Sequence, residues 1–364
     1  MSKEIYKNYI CEVPFVNLEI RPKQRFLCCS GWLKKYLPDQ YSPIDAWNSQ
    51  EAQDIRESIL DGSYKYCDDN WCPYLNSVKQ HGKPIRSDET STAGTVVLHE
   101  RDNLPDKFKS VLDRYYEGTL TPHIIQFSFD ESCNLKCPTC RVKIITANSR
   151  KIQEIQSTID TIEKQYGKTT KKLYITGSGD PFVSVGFRNF LRNFNSKKWP
   201  VLEHIHLHTN ATKWNKKMWE SMPNVQHLIK TCEISIDAGT KGTYEEKTRL
   251  GGDWKELLDN LNFISTIESL NWVKTSFVVQ QKNYKEMKTF YDIMKKIFGS
   301  KVNIFYGRLS NWGTFSDEEF SKEEIHNINH PEHKQFLEEI QSLLPAKNAW
   351  TNLNEFINKT NKII

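Results

Sequence analysis

Three thiols crowd one short stretch of the chain: Cys133, Cys137 and Cys140, in CNLKCPTC. Three residues separate the first pair and two the second, so a single tight loop can bring all three sulfurs to one centre. Thiolates are soft ligands that suit iron–sulfur clusters and zinc. A 4Fe–4S cubane usually takes four cysteines. Three leave one iron with an open position, and open positions are where metal sites do chemistry. Five further cysteines precede this loop: Cys11, Cys28, Cys29, Cys67 and Cys72. Four of those five can close a second site, either a fully ligated cluster or a structural zinc.

The elements around the first loop are strands and helices in alternation. HIIQFSFD (His123 to Asp130) alternates apolar and polar residues and reads as a strand that ends at the cysteines. KLYIT (from Lys172), HIHLHT (from His204), EISID (from Glu233), VKTSFVVQ (from Val273) and VNIFYG (from Val302) repeat the pattern, each separated from the next by a helical segment. Strands alternating with helices imply a parallel sheet with right-handed crossovers. Ligand sites in such sheets gather at the carboxyl ends of the strands. The second strand ends in Gly177-Ser178-Gly179-Asp180, where two glycines let backbone groups approach a ligand. The third ends in Thr209-Asn210, the fourth in Ser235 and Asp237, expected on one strand face, and the fifth in Gln280.

In this order the motifs resemble the radical S-adenosylmethionine (radical SAM) enzymes. The resemblance rests on the CxxxCxxC loop, on GSGDP against the family's GGEP, and on the Thr209-Asn210 step. Ser178, Asp180 and Ala211 depart from the family's commoner residues, as does Thr139 where an aromatic often stands. The fold it implies is α/β, a partial (β/α)6 TIM-type barrel. Cys133, Cys137 and Cys140 would then hold a 4Fe–4S cluster. S-adenosylmethionine would chelate the fourth iron, positioned by Gly177, Ser178, Gly179, Asp180, Thr209, Asn210, Ser235, Asp237 and Gln280. Reductive cleavage would release a 5′-deoxyadenosyl radical that takes hydrogen from a peptide, sugar or small metabolite. A reductant such as flavodoxin or ferredoxin is the implied partner. The N-terminal cysteines resemble the SPASM/twitch auxiliary-cluster module, with Cys11 before Pro14, the Cys28-Cys29 pair, Trp47-Asn48-Ser49 and Cys67 with Cys72. That implies a second 4Fe–4S cluster on Cys11, Cys28, Cys67 and Cys72, with Cys28 preferred to Cys29. The module is expected over residues 1–80, a connector over 81–121, the barrel over 122–310 and C-terminal helices over 311–364.

Other features receive plainer explanations. His204, His206 and His208 share a strand face and are expected to find partners inside the sheet rather than a metal. Cys232 reads as a small buried residue, and Arg249 has no assigned role. One helix is expected over Trp47 to Leu60 and a last one near Asn348 to Lys359. At 364 residues with a net charge of +5 and no long basic run, composition argues against general nucleic-acid binding. No run of about 20 apolar residues suggests a membrane span, and the first residues hold no export-signal pattern. Nine cysteines in such a chain point to metal or redox use, with the cytoplasm as the expected compartment. The competing class is a non-enzymatic zinc- or cluster-binding protein with a structural or nucleic-acid-binding role.

Overall fold

A computed structural model describes residues 3–28, 32–35, 37, 42–84, 98–175, 178–344, 346, 348–353 and 357. Cys29 and Gly177 lie outside the described residues, as do residues 354–356, 358 and 359 of the segment expected to form the last helix. The chain forms two compact units, one of residues 1–130, 149–178 and 195–205, the other of residues 131–148, 179–194 and 206–364.

In the first unit, β1 (Tyr9–Cys11) pairs antiparallel with β4 (Leu98–Glu100). A second sheet runs in the order β3 (Arg25–Phe26), β2 (Asn17–Ile20), β5 (Ile124–Phe127), β6 (Lys172–Ile175). β5 is parallel to both β2 and β6. The sequence pattern anticipates β5 and β6, whereas β2 and β3 were not among the expected strands. β2 is buried along its whole length, Asn17 and Glu19 included, and its Asn17-Leu18-Glu19-Ile20 alternation is too short to mark a strand. The helix expected over Trp47 to Leu60 is two helices, Pro43–Asn48 and Gln50–Leu60. Ser49 breaks it: its backbone is extended and its Oγ accepts the Ala52 N–H at 3.2 Å, starting the second helix as an N-cap.

The second unit carries β7 (His204–Thr209, of which its share is residues 206–209), β8 (Ile229–Ser235), β9 (Trp272–Val279), β10 (Val302–Arg308) and β11 (Ala349–Thr351), hydrogen-bonded in that order. β8, β9, β10 and β11 are parallel neighbour to neighbour. Helices Trp254–Ser265 and Met287–Phe298 connect them, with Leu257, Leu261 and Ile264 of the first and Met287, Phe290 and Met294 of the second buried. Those residues recur at i, i+3, i+4 and i+7, the spacing of one apolar helix face. β11 replaces the start of the expected terminal helix. The open edge of β10 draws it in: Trp350 stacks on Phe305 at 4.1 Å between ring centroids, and Thr351 Oγ1 donates to the Tyr306 carbonyl at 2.7 Å. The architecture is thus mixed α/β with a largely parallel sheet, consistent with a partial (β/α) barrel.

Candidate functional site

The CNLKCPTC loop belongs to the second unit and is pinned by its own backbone. Cys133 and Ile145 exchange N–H···O bonds of 2.9 and 3.3 Å. The Cys137 carbonyl accepts the Cys140 and Arg141 N–H groups, both at 2.9 Å, and so turns the chain. Leu135, fully buried, anchors the loop from within. Cys133 and Cys137 are buried and Cys140 is exposed. Each sulfur meets one side-chain donor. Asn210 Nδ2 donates to Cys133 Sγ at 3.6 Å, Arg249 Nη1 to Cys137 Sγ at 3.6 Å, and Arg141 Nη2 to Cys140 Sγ at 3.3 Å. Burial pushes the Cys133 and Cys137 thiols up, while Arg141 and Arg249 respectively pull them down. A cation among these sulfurs would favour their thiolates.

The strand ends beside the loop are cross-braced. Asp180 is buried, and its Oδ2 accepts the Thr209 hydroxyl at 2.7 Å and the Asn210 N–H at 2.8 Å. Its Oδ1 takes the Phe182 N–H at 2.9 Å. This carboxylate holds the end of β7 and orients the Asn210 that reaches Cys133. Asn210 Oδ1 in turn accepts the Thr212 N–H and hydroxyl, at 2.9 and 2.7 Å. Ala211 follows with φ of +61°, a left-handed turn usually left to glycine.

β8 ends at Ser235, and Asp237 lies beyond it with φ of +59°, so the strand alternation expected to link the two is broken there. Asp237 Oδ2 pairs with Arg249 Nη2 at 2.7 Å, and its Oδ1 accepts the Val278 N–H at 2.7 Å. Burial opposes the Arg249 charge, yet Asp237 and Cys137 outweigh it and push that guanidinium up. Arg249 therefore joins the site without any mark in the sequence: a lone arginine in a loop carries no spacing signal. Gln280 is buried just past β9, with Oε1 lacking a hydrogen-bond partner among the described residues. The Tyr244 hydroxyl is likewise buried and unpartnered, within electrostatic reach of Arg249, Cys137 and Asp237. Two orphaned polar atoms and three donor-supplied sulfurs suit a polar ligand and a thiolate-bound centre. Ser178 belongs to the first unit, where its Oγ donates to the Ser128 carbonyl at 3.2 Å.

A row of polar residues crosses the same face of the second unit's sheet, set by the pairings Glu233 with Lys274 and Ser235 with Ser276. His206 Nδ1 meets Thr231 Oγ1 at 2.8 Å and His208 Nε2 meets Ser235 Oγ at 2.9 Å, so both rings find partners within the sheet. Lys274 pairs with Glu233 at 3.0 Å and lies over the Phe305 ring at 4.5 Å. Ser276 donates its hydroxyl to the other Glu233 oxygen. Burial opposes the Glu233 charge, but Lys274, His208 and Ser276 outweigh it and hold the carboxyl well below its usual range. Period-two alternation in EISID and VKTSFVVQ could have placed Glu233 and Lys274 on an inner face, since a charged residue inside a strand is costly unless paired.

In the first unit, Cys11, Cys28, Cys67 and Cys72 line one small cavity whose other walls include Pro14, Trp32, Tyr64 and Leu75. Cys11 ends β1, Cys67 bridges to Leu33, and Cys72 immediately precedes the helix Pro73–His81. Burial pushes the Cys11 thiol up, and the neighbouring Cys72 and Cys67 add to it. Among the described residues, no three His, Cys, Asp or Glu side chains are arranged as they stand to hold a single metal ion.

No family model matches the sequence, and no curated protein matches it. Among solved structures 54 chains match. One is SuiB of Streptococcus suis bound to S-adenosylmethionine, 13% identical, with 68% of this chain and 55% of that one covered and a TM-score of 0.44. Another is native anSMEcpe with bound AdoMet, 13% identical over 63% of each chain, with a TM-score of 0.42. A third is TYW1 with a lysine-pyruvate adduct bound, 14% identical over 67% of this chain and 79% of that one, with a TM-score of 0.38. Against the SuiB structures the chain spans 55% to 64% of their length.

Proposed function

We propose that the chain is a radical SAM enzyme. Its thiols Cys133, Cys137 and Cys140 would hold a 4Fe–4S cluster, and the strand-end residues would position S-adenosylmethionine. The observation that carries this reading is the set of three sulfurs in one loop, each met by its own side-chain N–H donor. A cluster fills the space between its thiolates with iron and sulfide, so its ligands need not converge as those of one ion do. When bound, such a centre supplies an electron that cleaves the sulfonium of S-adenosylmethionine to a 5′-deoxyadenosyl radical, which takes hydrogen from substrate.

The chain's own residues do the remaining work. Asn210, Arg249 and Arg141 offset negative charge on the three sulfurs. Asp180 fixes the β7 end that carries Asn210, and Asp237 fixes Arg249. Gln280 and Tyr244 offer buried polar atoms to a ligand, and Ser235 presents a hydroxyl steadied by His208. The Glu233–Lys274 pair with Phe305 and Trp350 forms a mixed polar and aromatic face on which a peptide, sugar or small metabolite would be held. Cys11, Cys28, Cys67 and Cys72 would hold a second cluster with every thiol ligating, which suits electron transfer or a structural role.

Anaerobic purification followed by iron and sulfide analysis tests the centres. Addition of S-adenosylmethionine and dithionite should then release 5′-deoxyadenosine, measured by chromatography. A colourless protein that binds zinc and yields no 5′-deoxyadenosine would overturn the reading in favour of a non-enzymatic metal-binding protein.

A further inference from the structure

A second cavity, unrelated to any cysteine, opens on the first unit. It measures about 300 Å³, the lower end of the range for small-molecule sites. Its walls come from Trp47 and Asn48 at the end of one helix, Gln53 and Arg56 on the next, and Tyr115 and Tyr116 at the end of Asp106–Tyr116.

Arg56 is the unusual member. It is only 3% exposed, and its guanidinium lies over the Trp47 ring at 4.2 Å. Nε donates to the Pro14 carbonyl and Nη1 to the Trp47 carbonyl, both at 2.9 Å. Nη2 is buried with no acceptor among the described residues. Among the described residues, the titratable groups acting on it are the phenols of Tyr115 and Tyr166, with no carboxylate among them. Burial pushes its pKa down to about 10. A buried cation held by two neutral carbonyls and a ring, with one nitrogen unshared, lacks the counter-charge that buried guanidinium groups normally have. None of the described residues lining the cavity is acidic. Much of the remaining lining is aromatic, with Tyr115 and Tyr116 edge to face at 5.4 Å and Tyr116 left 71% exposed.

We propose that this cavity binds a small aromatic carboxylate, whose acid group pairs with Arg56 and whose ring packs against Trp47, Tyr115 and Tyr116. The cation asks for an anion, and a planar guanidinium matches a carboxylate better than a spherical ion. The aromatic wall selects a flat apolar body. The side-chain amides of Asn48 and Gln53 add polar groups to the lining, Gln53 Nε2 donating to the Asn48 carbonyl at 3.4 Å. The source is either a free aromatic acid or a peptide ending in an aromatic residue.

The test is calorimetric titration of the full chain with 4-hydroxybenzoate, its neutral amide, and acetylglycyl-tyrosine with a free carboxylate. The acid should bind at least about tenfold more tightly than the amide, the difference expected of one charge-assisted hydrogen bond. Gln53→Glu places a carboxylate one helical turn from Arg56. It should weaken the acid by about tenfold or more while raising the melting temperature of the unliganded protein. Tyr116→Ala, at an exposed position where folding is not at stake, should weaken acid and amide alike. Tighter binding of acetylglycyl-tyrosine than of 4-hydroxybenzoate would support the site and assign its source to a peptide terminus. Weaker binding would support it and assign the source to a free acid. Equal affinity for acid and amide, unchanged affinity in Gln53→Glu, or no binding to the unmodified protein would each overturn the proposal. None of these readouts depends on iron or on 5′-deoxyadenosine.

Discussion

The two groups of cysteines are built on opposite principles. Cys133, Cys137 and Cys140 come from one loop, and their sulfurs meet an amide and two guanidinium groups. Cys11, Cys28, Cys67 and Cys72 are gathered from distant points of the first unit, among aromatic and aliphatic walls. Local spacing makes the first group cheap to assemble, because little chain must be ordered to close it. The second needs the whole unit folded before its thiols meet. Polar donors also stabilise added negative charge on thiolate-bound metal, whereas apolar walls resist any change of charge. Under the proposed function, electron acceptance and ligand chemistry would fall to the loop, and a constant, protected role to the cavity.

The sharpest way to break this contrast is to remove one thiol from each group. Cys137→Ala should abolish 5′-deoxyadenosine formation, while Cys67→Ala should leave it measurable with about half the iron retained, as for the loss of one of two clusters. Equal losses of iron and product in both variants would mean that the groups do not act separately. Next in size is Arg249→Gln. It leaves Asp237 buried without its partner, and stability should fall by about 3–5 kcal/mol. Denaturant melts measure the loss, and a fall below about 1 kcal/mol would mean that the pair is not held as described.

The smallest effect is on acid stability. Burial holds the partly buried His208 below its usual range, with Lys274 and Arg249 adding to this and Glu233 and Asp180 opposing it. The unfolded chain therefore takes up this proton first as pH falls. Stability contributed by the neutral ring is present above about pH 6.5 and is lost below it, at no more than about 1.4 kcal/mol per pH unit. Glu233, held low, gives stability that is lost only below the ordinary carboxylate range near pH 4.3. His208→Gln should flatten the first slope and leave the second. An unchanged profile in melts from pH 7 to 5 would remove His208 from the account.

Sequence periodicity located the six strands from β5 to β10 because each alternates or runs apolar between turn residues. The three thiols were legible because their spacing is local. β2 and β11 were not: Asn17-Leu18-Glu19-Ile20 and Ala349-Trp350-Thr351 are short, lie outside the repeated strand-and-helix run that marks β5 to β10, and are recruited by the edges they meet. Ser49 hid the break in the Trp47–Leu60 pattern because apolar positions kept helical spacing on both sides of it. Arg249 was invisible for a different reason: its place beside Cys137 depends on the turn at Asp237, and a left-handed aspartate leaves no mark in composition. Glu233 and Lys274 were legible in type but not in partnership, because register between strands is a tertiary property.

β11 also has a consequence for how the protein is made. It joins β10 only after the chain has travelled through residues 309–348. During synthesis, the last parallel edge of the second unit stays uncapped until nearly all of the described chain has left the ribosome. An exposed parallel edge is a template for wrong partners, so this unit should depend on chaperones, and a nascent chain halted before Trp350 should aggregate where one halted after Thr351 and fully extruded does not.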